Sequence, residues 1–341
     1  MARRRRSHSR RRTLTTAAAV GAAVATSGLA ASSRRWARAT DPTGGDPLAM
    51  PEGTTTRITS FDGSDLAVTL AGPDGAPVVV LSHCWTGDQR VWGPVARRLV
   101  DAGLRVVLYD QRAHGSSSSG SAGYTLEALA GDLRAVLEHL DLHDVVVAGH
   151  SMGGMTIQAL AAEHPEVLAE RVKAIVLVAT SARNESLGAR GDRTAVKLIG
   201  SRAAERSLTH GRFGPVFVRN TVGRRPALAH LHAVRETFIA TPAEARASFL
   251  AAMQAMNFEP ALATIQVPVT VIAGTHDRLT PLSRSKILVD RLPNAVLEVR
   301  PGAGHMLPLE EPDHVAGSIV TAVERTGVID LRAHPVEPAT A

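Results

Sequence analysis

Ser151, Asp277 and His305 are the residues of this 341-residue chain whose types and order could support attack on a carbonyl group. A serine hydroxyl barely ionises near neutral pH, so a histidine must take its proton as attack begins and later return it to the leaving group. A buried carboxylate then holds the imidazole in its productive tautomer. We assign Ser151 as the nucleophile, His305 as the base and Asp277 as the orienting acid.

Each of these residues follows an apolar run that predicts a buried strand. Residues 145–148 precede the turn 149–154 (GHSMGG), which contains the serine, and a helix-compatible segment follows. Glycines on both sides of a serine permit a sharp strand-to-helix turn that exposes the hydroxyl at the sheet edge. The runs 267–273 and 295–299 precede the aspartate and the histidine. Loops at the ends of three parallel strands would therefore bring the three side chains together.

The negative oxygen that forms on a substrate carbonyl needs hydrogen-bond donors fixed in advance. One donor is expected from the backbone N–H of Met152, the residue after the nucleophile. The second is expected in the loop after the strand predicted at 77–82, and the backbone N–H of Trp85 is our choice there. Met152 and Trp85 are therefore the predicted oxyanion donors.

Five ordered landmarks between about Arg57 and about Thr326 give the chain a family resemblance. They are the turn 82–85 (SHCW), the stretch 110–116 (DQRAHGS), the serine turn, residues 274–277 with Pro281, and the pair Gly304 and His305. With these motifs the chain resembles an α/β-hydrolase of the esterase and lipase type. The resemblance implies a mainly parallel sheet flanked by helices, with an inserted helical cap. It also implies cleavage of a small carboxylic ester through an acyl-enzyme, with no metal and no organic cofactor.

Other activities of the same fold are weighed at the same positions. Haloalkane dehalogenases and epoxide hydrolases have an aspartate where this chain has Ser151, which disfavours both. Carbon–carbon bond hydrolases and cofactor-free haloperoxidases keep the serine and remain alternatives. Cys84 stands where the family's oxyanion turn usually has glycine, and a side chain there restricts positive φ. A catalytically silent member that binds a small ligand or a protein partner through the cap groove is therefore a third reading.

Several polar residues in strand-end turns are interpreted as structural. No H-E-x-x-H or paired Cys/His spacing accompanies His83, His114 or His150, so we predict no metal site and expect these rings to shape loops by hydrogen bonding. Asp110 precedes Ser151 in the chain and belongs to the turn 110–116, so it is also expected to be structural.

Alternation of strand-like and helix-like runs organises the chain. After two opening strands at 57–61 and 66–70, apolar runs alternate with helical patterns, which favours right-handed crossovers and a parallel sheet. We expect core segments at 55–182 and 263–328, separated by a helical cap at 183–262. Within the cap, the sequence 241–244 (TPAE) predicts a capping box that begins a helix. The cap segment 183–259 has twelve basic and six acidic residues. We interpret this charge first as a solvated helical face, with steering of anionic substrates as the alternative.

Charge is concentrated at the N-terminus. Residues 1–39 contain ten arginines and no acidic residue, so residues 40–341 have 28 basic against 32 acidic residues. The net charge of −4 on that part predicts no nucleic-acid partner. Residues 9–14 (SRRRTL) resemble a twin-arginine export signal, and the uncharged run 13–33 is long enough to span a bilayer.

The ends of the chain complete the predicted organisation. We expect 1–39 to be a cleaved export signal or a membrane anchor, which would place the protein at the cell envelope. A plain disordered tail is the remaining alternative, and it would leave the protein in the cytoplasm. Residues 40–54 are expected to be a linker, and 329–341 a C-terminal tail. Cys84 is the only cysteine, so no internal disulfide can form, and nothing in the sequence specifies an oligomeric state.

Overall fold

The computed structural model describes residues 41–183, 193–194, 196–197, 199–201 and 218–327. The predicted export signal or anchor, the C-terminal tail and much of the first half of the cap lie outside the described residues. In the part of the chain that is described, no helix is both long and apolar enough to cross a bilayer.

Eight strands form one sheet with the order β1-β2-β4-β3-β5-β6-β7-β8. Strand β1 pairs antiparallel with β2, and β2 pairs antiparallel with β4, while every other neighbouring pair is parallel. The mainly parallel sheet predicted from the alternating runs is therefore confirmed. The strands are β1 (Gly53–Thr59), β2 (Asp65–Ala71), β3 (Val78–Ser82), β4 (Arg105–Tyr109), β5 (Val145–His150), β6 (Val172–Val178), β7 (Val269–Gly274) and β8 (Ala295–Arg300).

Helices cover both faces of the sheet, which explains why β5 and β7 consist entirely of buried residues. Helices α2, α3 and α8 pack with one face, and α1 and α10 pack with the other. The helices are α1 (Gly93–Asp101), α2 (Leu126–His139), α3 (Met152–Glu163), α4 (Pro165–Arg171), α5 (Leu228–Ala240), α6 (Ala243–Ala255), α7 (Glu259–Leu262), α8 (Leu282–Arg291), α9 (Leu307–Glu310) and α10 (Pro312–Arg325).

The described part of the predicted cap is helical. Helix α6 begins at Ala243, where the sequence predicts a helix start, but the predicted capping box is wrong. The hydroxyl of Thr241 donates to the carbonyl of Thr237 in the last turn of α5, at 3.1 Å, and Pro242 occupies the N-cap position without a side-chain cap. The side chain of Thr241 therefore bonds to the end of α5, although the local pattern predicted that it would cap the start of α6.

Residues 41–52, in the predicted linker, pack on α1. Thr43 and Leu48 are buried, and Arg97 donates hydrogen bonds to the carbonyl groups of Thr43 and Ala49. Strand β1 begins at Gly53, inside the predicted linker range. Residues 41–52 thus contain no helix or strand, yet some of their side chains pack on the core.

A buried ion network joins three elements of the fold. The guanidinium of Arg112 donates to both carboxylate oxygens of Asp132 at 2.7 Å and to Asp62 at 2.9 Å. The side chains of Arg112 and Asp132 are fully buried. The network therefore ties the loop after β4 to helix α2 and to the β1–β2 turn.

We expect Asp132→Ala to lower the free energy of unfolding by about 3–5 kcal/mol, because it leaves a buried guanidinium with one partner fewer. Urea denaturation measures this difference. Glu138→Gln on the same helix is the matched control, since it removes only a half-exposed pair with Arg134. That change should cost about 0.5 kcal/mol or less. Equal destabilisation by the two variants would contradict the expectation.

Candidate active site

Ser151 lies in a strained turn between β5 and α3. Its φ is 53° and its ψ is −113°, a backbone conformation that costs free energy for a residue with a side chain. Two hydrogen bonds hold it: the N–H of Ser151 donates to the carbonyl of Val178 at 2.9 Å, and the hydroxyl of Thr180 donates to the carbonyl of Ser151 at 2.7 Å. The end of strand β6 therefore supports the turn that presents the serine.

Gly149 and Gly153, two residues before and after the serine, lie so close to neighbouring backbone that a side chain would not fit at either position. A Cβ atom on Gly149 would lie 2.5 Å from the backbone of Gly153. A Cβ atom on Gly153 would lie 2.1 Å from the carbonyl oxygen of Ser82 at the end of β3. The G-x-S-x-G pattern thus has the structural basis that the sequence predicted.

The structure brings Asp277 and His305 together in loops at the ends of β7 and β8. The Nδ1–H of His305 donates to Oδ2 of Asp277 at 2.8 Å, and both side chains are buried. Asp277 also accepts from the backbone N–H groups of Leu279 and Thr280, at 2.8 and 2.9 Å. Burial alone would raise the pKa of Asp277, but His305 and the bonds from Thr280 outweigh it and hold the pKa below 3.8. The acid is therefore charged near neutral pH.

Asp277 shapes the turn before α8 as well as contacting the histidine. Thr280 does not cap the following helix. The hydroxyl of Thr280 donates instead to Oδ2 of Asp277 at 2.7 Å, and Pro281 precedes the helix without a side-chain cap. Thr280 therefore fixes the carboxylate that faces His305.

His150 supports the backbone at His305. The Nε2–H of His150 donates to the carbonyl of His305 at 2.8 Å, and the two ring centroids lie 5.1 Å apart. Burial lowers the pKa of His150 to about 3, so its ring is neutral at physiological pH. The backbone N–H of His305 donates to the carbonyl of Thr221 at 2.9 Å, which joins the loop to the cap segment.

Ser151 and His305 line one cavity of about 190 Å³ beneath the cap. Helices α5 and α6 contribute apolar side chains to it, and so does the turn after β3. The apolar lining residues are Trp85, Met155, Val234, Phe238, Leu250, Met253, Leu279 and Met306. The described residues that line this space include no Arg, Lys, Asp or Glu, and His305 is the only histidine among them.

The turn after β3 carries its strain at Thr86 rather than at Cys84. The N–H of Gly87 donates to the carbonyl of Cys84 at 3.0 Å, which closes a four-residue turn. Thr86 has a φ of 59°, while Cys84 is not among the described residues with positive φ. The side chain of Cys84 is therefore compatible with the turn, and Trp85 lies within it beside the cavity. The N–H of Thr86 is held by Nε2 of His114 at 3.1 Å.

Met152, the other predicted oxyanion donor, is the first residue of α3 and is fully buried. The first N–H groups of a helix have no partner within the helix, and the helix dipole there favours negative charge. The bond from Met155 to the carbonyl of Ser151, at 3.1 Å, is the first of this helix. The backbone N–H of Met152 therefore lies where an oxyanion could be stabilised.

The polar residues interpreted as structural make hydrogen bonds that shape the loops. The Nδ1–H of His83 donates to the carbonyl of Cys84, and its Nε2 accepts from the N–H of Gln111 at 2.9 Å. Burial lowers the pKa of His83 and brings that of His114 to about 3, so both rings are neutral. Asp110 accepts from the N–H groups of Gln89 and Ser116, both at 2.8 Å, and does not contact His305.

Sequence reasoning missed three residues that hold the candidate triad, namely Thr180, Thr221 and Glu310. Thr180 follows β6 at the carboxyl end of the sheet, which is a signal that could have identified it. Thr221 contacts the His305 loop from the distant cap segment, and Glu310, five residues after His305, also bonds to Gly223 of that segment. Neither residue belongs to a local pattern that assigns it a role. In the described ranges, no group of three or more His, Cys, Asp or Glu residues could hold a metal ion.

Known proteins resemble this chain over most of its described length. It is 26% identical over 264 residues to 3-oxoadipate enol-lactonase 2 of Acinetobacter baylyi, covering 76% of this chain and 94% of that protein. It is 28% identical to a non-heme haloperoxidase of Rhodococcus erythropolis, covering 78% of this chain and 98% of that protein. The structure of a thermophilic esterase from Thermogutta terrifontis superposes with a TM-score of 0.66 at 25% identity, covering 80% and 99% of the two chains.

The model of the alpha/beta hydrolase family matches residues 78–317, which is more than half of the chain. This match includes every predicted site residue. The strand order, the serine turn and the solved structures agree with it. The chain therefore belongs to the alpha/beta hydrolase family and is an enzyme of that family.

Proposed function

We propose that this enzyme hydrolyses carboxylic esters through an acyl-enzyme, with Ser151 as nucleophile, His305 as base and Asp277 as orienting acid. The observation that carries the proposal is the 2.8 Å hydrogen bond from His305 Nδ1 to Asp277, made by a histidine that lines the same cavity as Ser151. In the neutral ring the proton is then on Nδ1, so Nε2 has the lone pair that accepts the serine proton. The names of the similar lactonase and esterase support this chemistry.

The reaction proceeds in two halves. Ser151 Oγ attacks the ester carbonyl as His305 takes its proton, and the backbone N–H groups of Met152 and Trp85 stabilise the negative oxygen. His305 then gives the proton to the departing alcohol, which leaves an acyl-serine. Water attacks that acyl group with His305 again as base, and the acid is released with Ser151 restored.

The cavity favours small, uncharged substrates. Its volume of about 190 Å³ and its apolar lining suit a short acyl chain. The positive charge of the cap left steering of anionic substrates open as an alternative, but no arginine or lysine lies among the described residues that line the cavity. Arg246 of α6, for example, is buried and donates to the carbonyl groups of Phe238 and Thr241. We therefore favour neutral esters over carboxylated ones.

A panel of p-nitrophenyl esters tests the proposal. We expect kcat/KM to be highest for acetate and butyrate esters and to fall for octanoate and laurate, because the longer chains exceed the cavity. The p-nitrophenyl monoester of succinate, which adds a carboxylate, should be a poorer substrate than the uncharged butyrate ester of equal acyl length. A diketone and a peroxide-dependent bromination assay belong in the same panel. Preferential cleavage of the diketone, or bromination without ester hydrolysis, would overturn the proposal.

The halogenation assay has a specific motive. The similarity to the Rhodococcus haloperoxidase is at least as high as that to the lactonase. A cofactor-free haloperoxidase is therefore the second candidate, and it would use the same Ser151 and His305.

A further inference from the structure

Glu310, the last residue of α9, accepts three backbone hydrogen bonds near the candidate base. Its Oε2 accepts from the N–H groups of Gly223 and Gly304, at 2.7 and 3.1 Å. Its Oε1 accepts from the N–H of Met306 at 3.1 Å. Gly304 and Met306 are the residues immediately before and after His305. The carboxylate therefore holds the peptide groups on both sides of the histidine.

The same carboxylate joins the histidine loop to the cap segment. Gly223 follows a short 3-10 helix at Val218–Thr221, and a Cβ atom on Gly304 would lie only 2.3 Å from the backbone nitrogen of Gly223. The two backbones are thus in direct contact, and Glu310 accepts from both. Backbone N–H groups in a buried loop without secondary structure need such a partner, since leaving one unpaired costs about 1–3 kcal/mol.

We propose that Glu310 is a positioning residue, which orients the imidazole of His305 toward Ser151 by fixing the backbone on both sides of it. This inference rests on the proposed function, because it assigns a role to Glu310 in the reaction of the same site. Glu310 does not line the cavity that contains Ser151 and His305. It acts through the peptide groups and touches no reacting atom.

The arrangement requires a carboxylate rather than an amide. Both oxygens of Glu310 accept, and one of them accepts twice. A glutamine has one oxygen and one NH₂ group. Its NH₂ group would therefore face a backbone N–H, and two donors cannot form a hydrogen bond. Either the Met306 bond or the Gly223 and Gly304 bonds would be lost.

The protonation state of Glu310 should matter for the same reason. Burial raises the pKa of Glu310 to about 7, so acidification through neutral pH removes its charge. The charged or titratable groups that face it are His305 from the loop, Arg219 from the 3-10 helix, and Arg224, Arg225, His230 and Glu311 around a second cavity behind the loop. Below pH 7, the carboxyl group of Glu310 is increasingly protonated, and a protonated oxygen is a weaker acceptor. The hydrogen bonds that hold the loop are then weakened.

Glu310→Gln tests the role, with Glu311→Gln as the matched control. Glu311 is the next residue, and its carboxylate pairs with Arg300 at 2.9 Å. Both variants remove one negative charge at adjacent positions. With p-nitrophenyl acetate, and with active sites counted by the initial burst, we expect Glu310→Gln to lower kcat per site by about 10–100-fold with little change in KM. Glu311→Gln should stay within about twofold of the wild type.

The pH profile separates positioning from a merely structural role. Because burial raises the pKa of Glu310 to about 7, log(kcat/KM) of the wild type should fall more steeply on acidification below pH 7 than that of Glu310→Gln, in which residue 310 cannot titrate. Glu311→Gln should keep the wild-type steepness. Should Glu310→Gln fail to fold, the wild-type profile decides alone, and constant kcat/KM between pH 8 and pH 6 would overturn the proposal. A lower burst amplitude with unchanged kcat per site would overturn it as well.

A spectroscopic readout separates this proposal from the proposed function. The Nδ1–H of a histidine bonded to a carboxylate gives a downfield proton resonance, which can be assigned by its loss in His305→Ala. We expect that resonance to shift or broaden in Glu310→Gln and to match the wild type in Glu311→Gln. A wild type without esterase activity would refute the proposed function. Identical resonances in all three proteins would refute the positioning role.

Discussion

Ser151→Ala should lower kcat for ester hydrolysis by about 10⁶-fold, because it removes the hydroxyl that forms the acyl intermediate. Residual catalysis of about 10³–10⁴ over the uncatalysed rate would remain from the oxyanion donors and substrate binding. The variant should also lose covalent labelling by a fluorophosphonate probe. It should fold, because the hydrogen bonds from the Ser151 N–H to Val178 and from Thr180 to the Ser151 carbonyl use backbone atoms of residue 151.

Ser285→Ala is the control for this experiment. Ser285 is a buried serine of α8 that does not line the cavity, and its hydroxyl has no hydrogen-bond partner among the described residues. Removing it should change neither labelling nor kcat. Equal labelling of the Ser151→Ala and Ser285→Ala proteins would mean that another residue reacts with the probe.

Asp277→Asn should lower kcat by about 10⁴-fold while Ser151 and His305 remain in place. The amide would present an NH₂ group to Nδ1 of His305, so the ring would keep its proton on Nε2, the nitrogen needed to accept from Ser151. Steady-state kinetics with the best ester of the panel measures the loss. The exposed Asp290→Asn on α8 is the control and should behave as the wild type. A loss below about tenfold for Asp277→Asn would place the orienting acid elsewhere.

The same substitution has a pH-dependent effect on stability. The pKa of Asp277 is lowered from its ordinary value of 3.8, so its charge stabilises the folded state at pH values above about 3.8. That contribution is lost as the pH falls through the lower pKa of the folded state. The difference in Tm between the wild type and Asp277→Asn should therefore be larger at pH 7 than at pH 3.

The sequence predicted the features that local pattern specifies. Strands such as β5 and β7 are buried on both faces, so they appear as uninterrupted apolar runs. The turn at Ser151 was predictable because close backbone contacts exclude side chains at its two glycines. The proximity of Asp277 and His305 was predictable, because both follow strands of the parallel sheet. The distance between His305 Nδ1 and Asp277 Oδ2 is 2.8 Å.

The remaining features depend on contacts that the local pattern does not contain. Threonine is common at helix N-caps, but the hydroxyl of Thr241 donates to the carbonyl of Thr237 instead. In the turn after β3 the positive φ is at Thr86, whereas the sequence predicted a restriction at Cys84 because that position usually has glycine. Glu310 meets Gly223 across 87 positions of the chain, and no periodicity encodes such a contact.

The burial of Cys84 has a practical consequence for studying this enzyme in solution. It is the only cysteine of the chain, and burial raises the pKa of its thiol to about 12. Thiol-directed dyes and spin labels react with the thiolate, so the native protein gives almost no background with them. A single cysteine introduced at Leu279, which is exposed at the rim of the cavity, would take up a dye alone and report ligand entry by fluorescence.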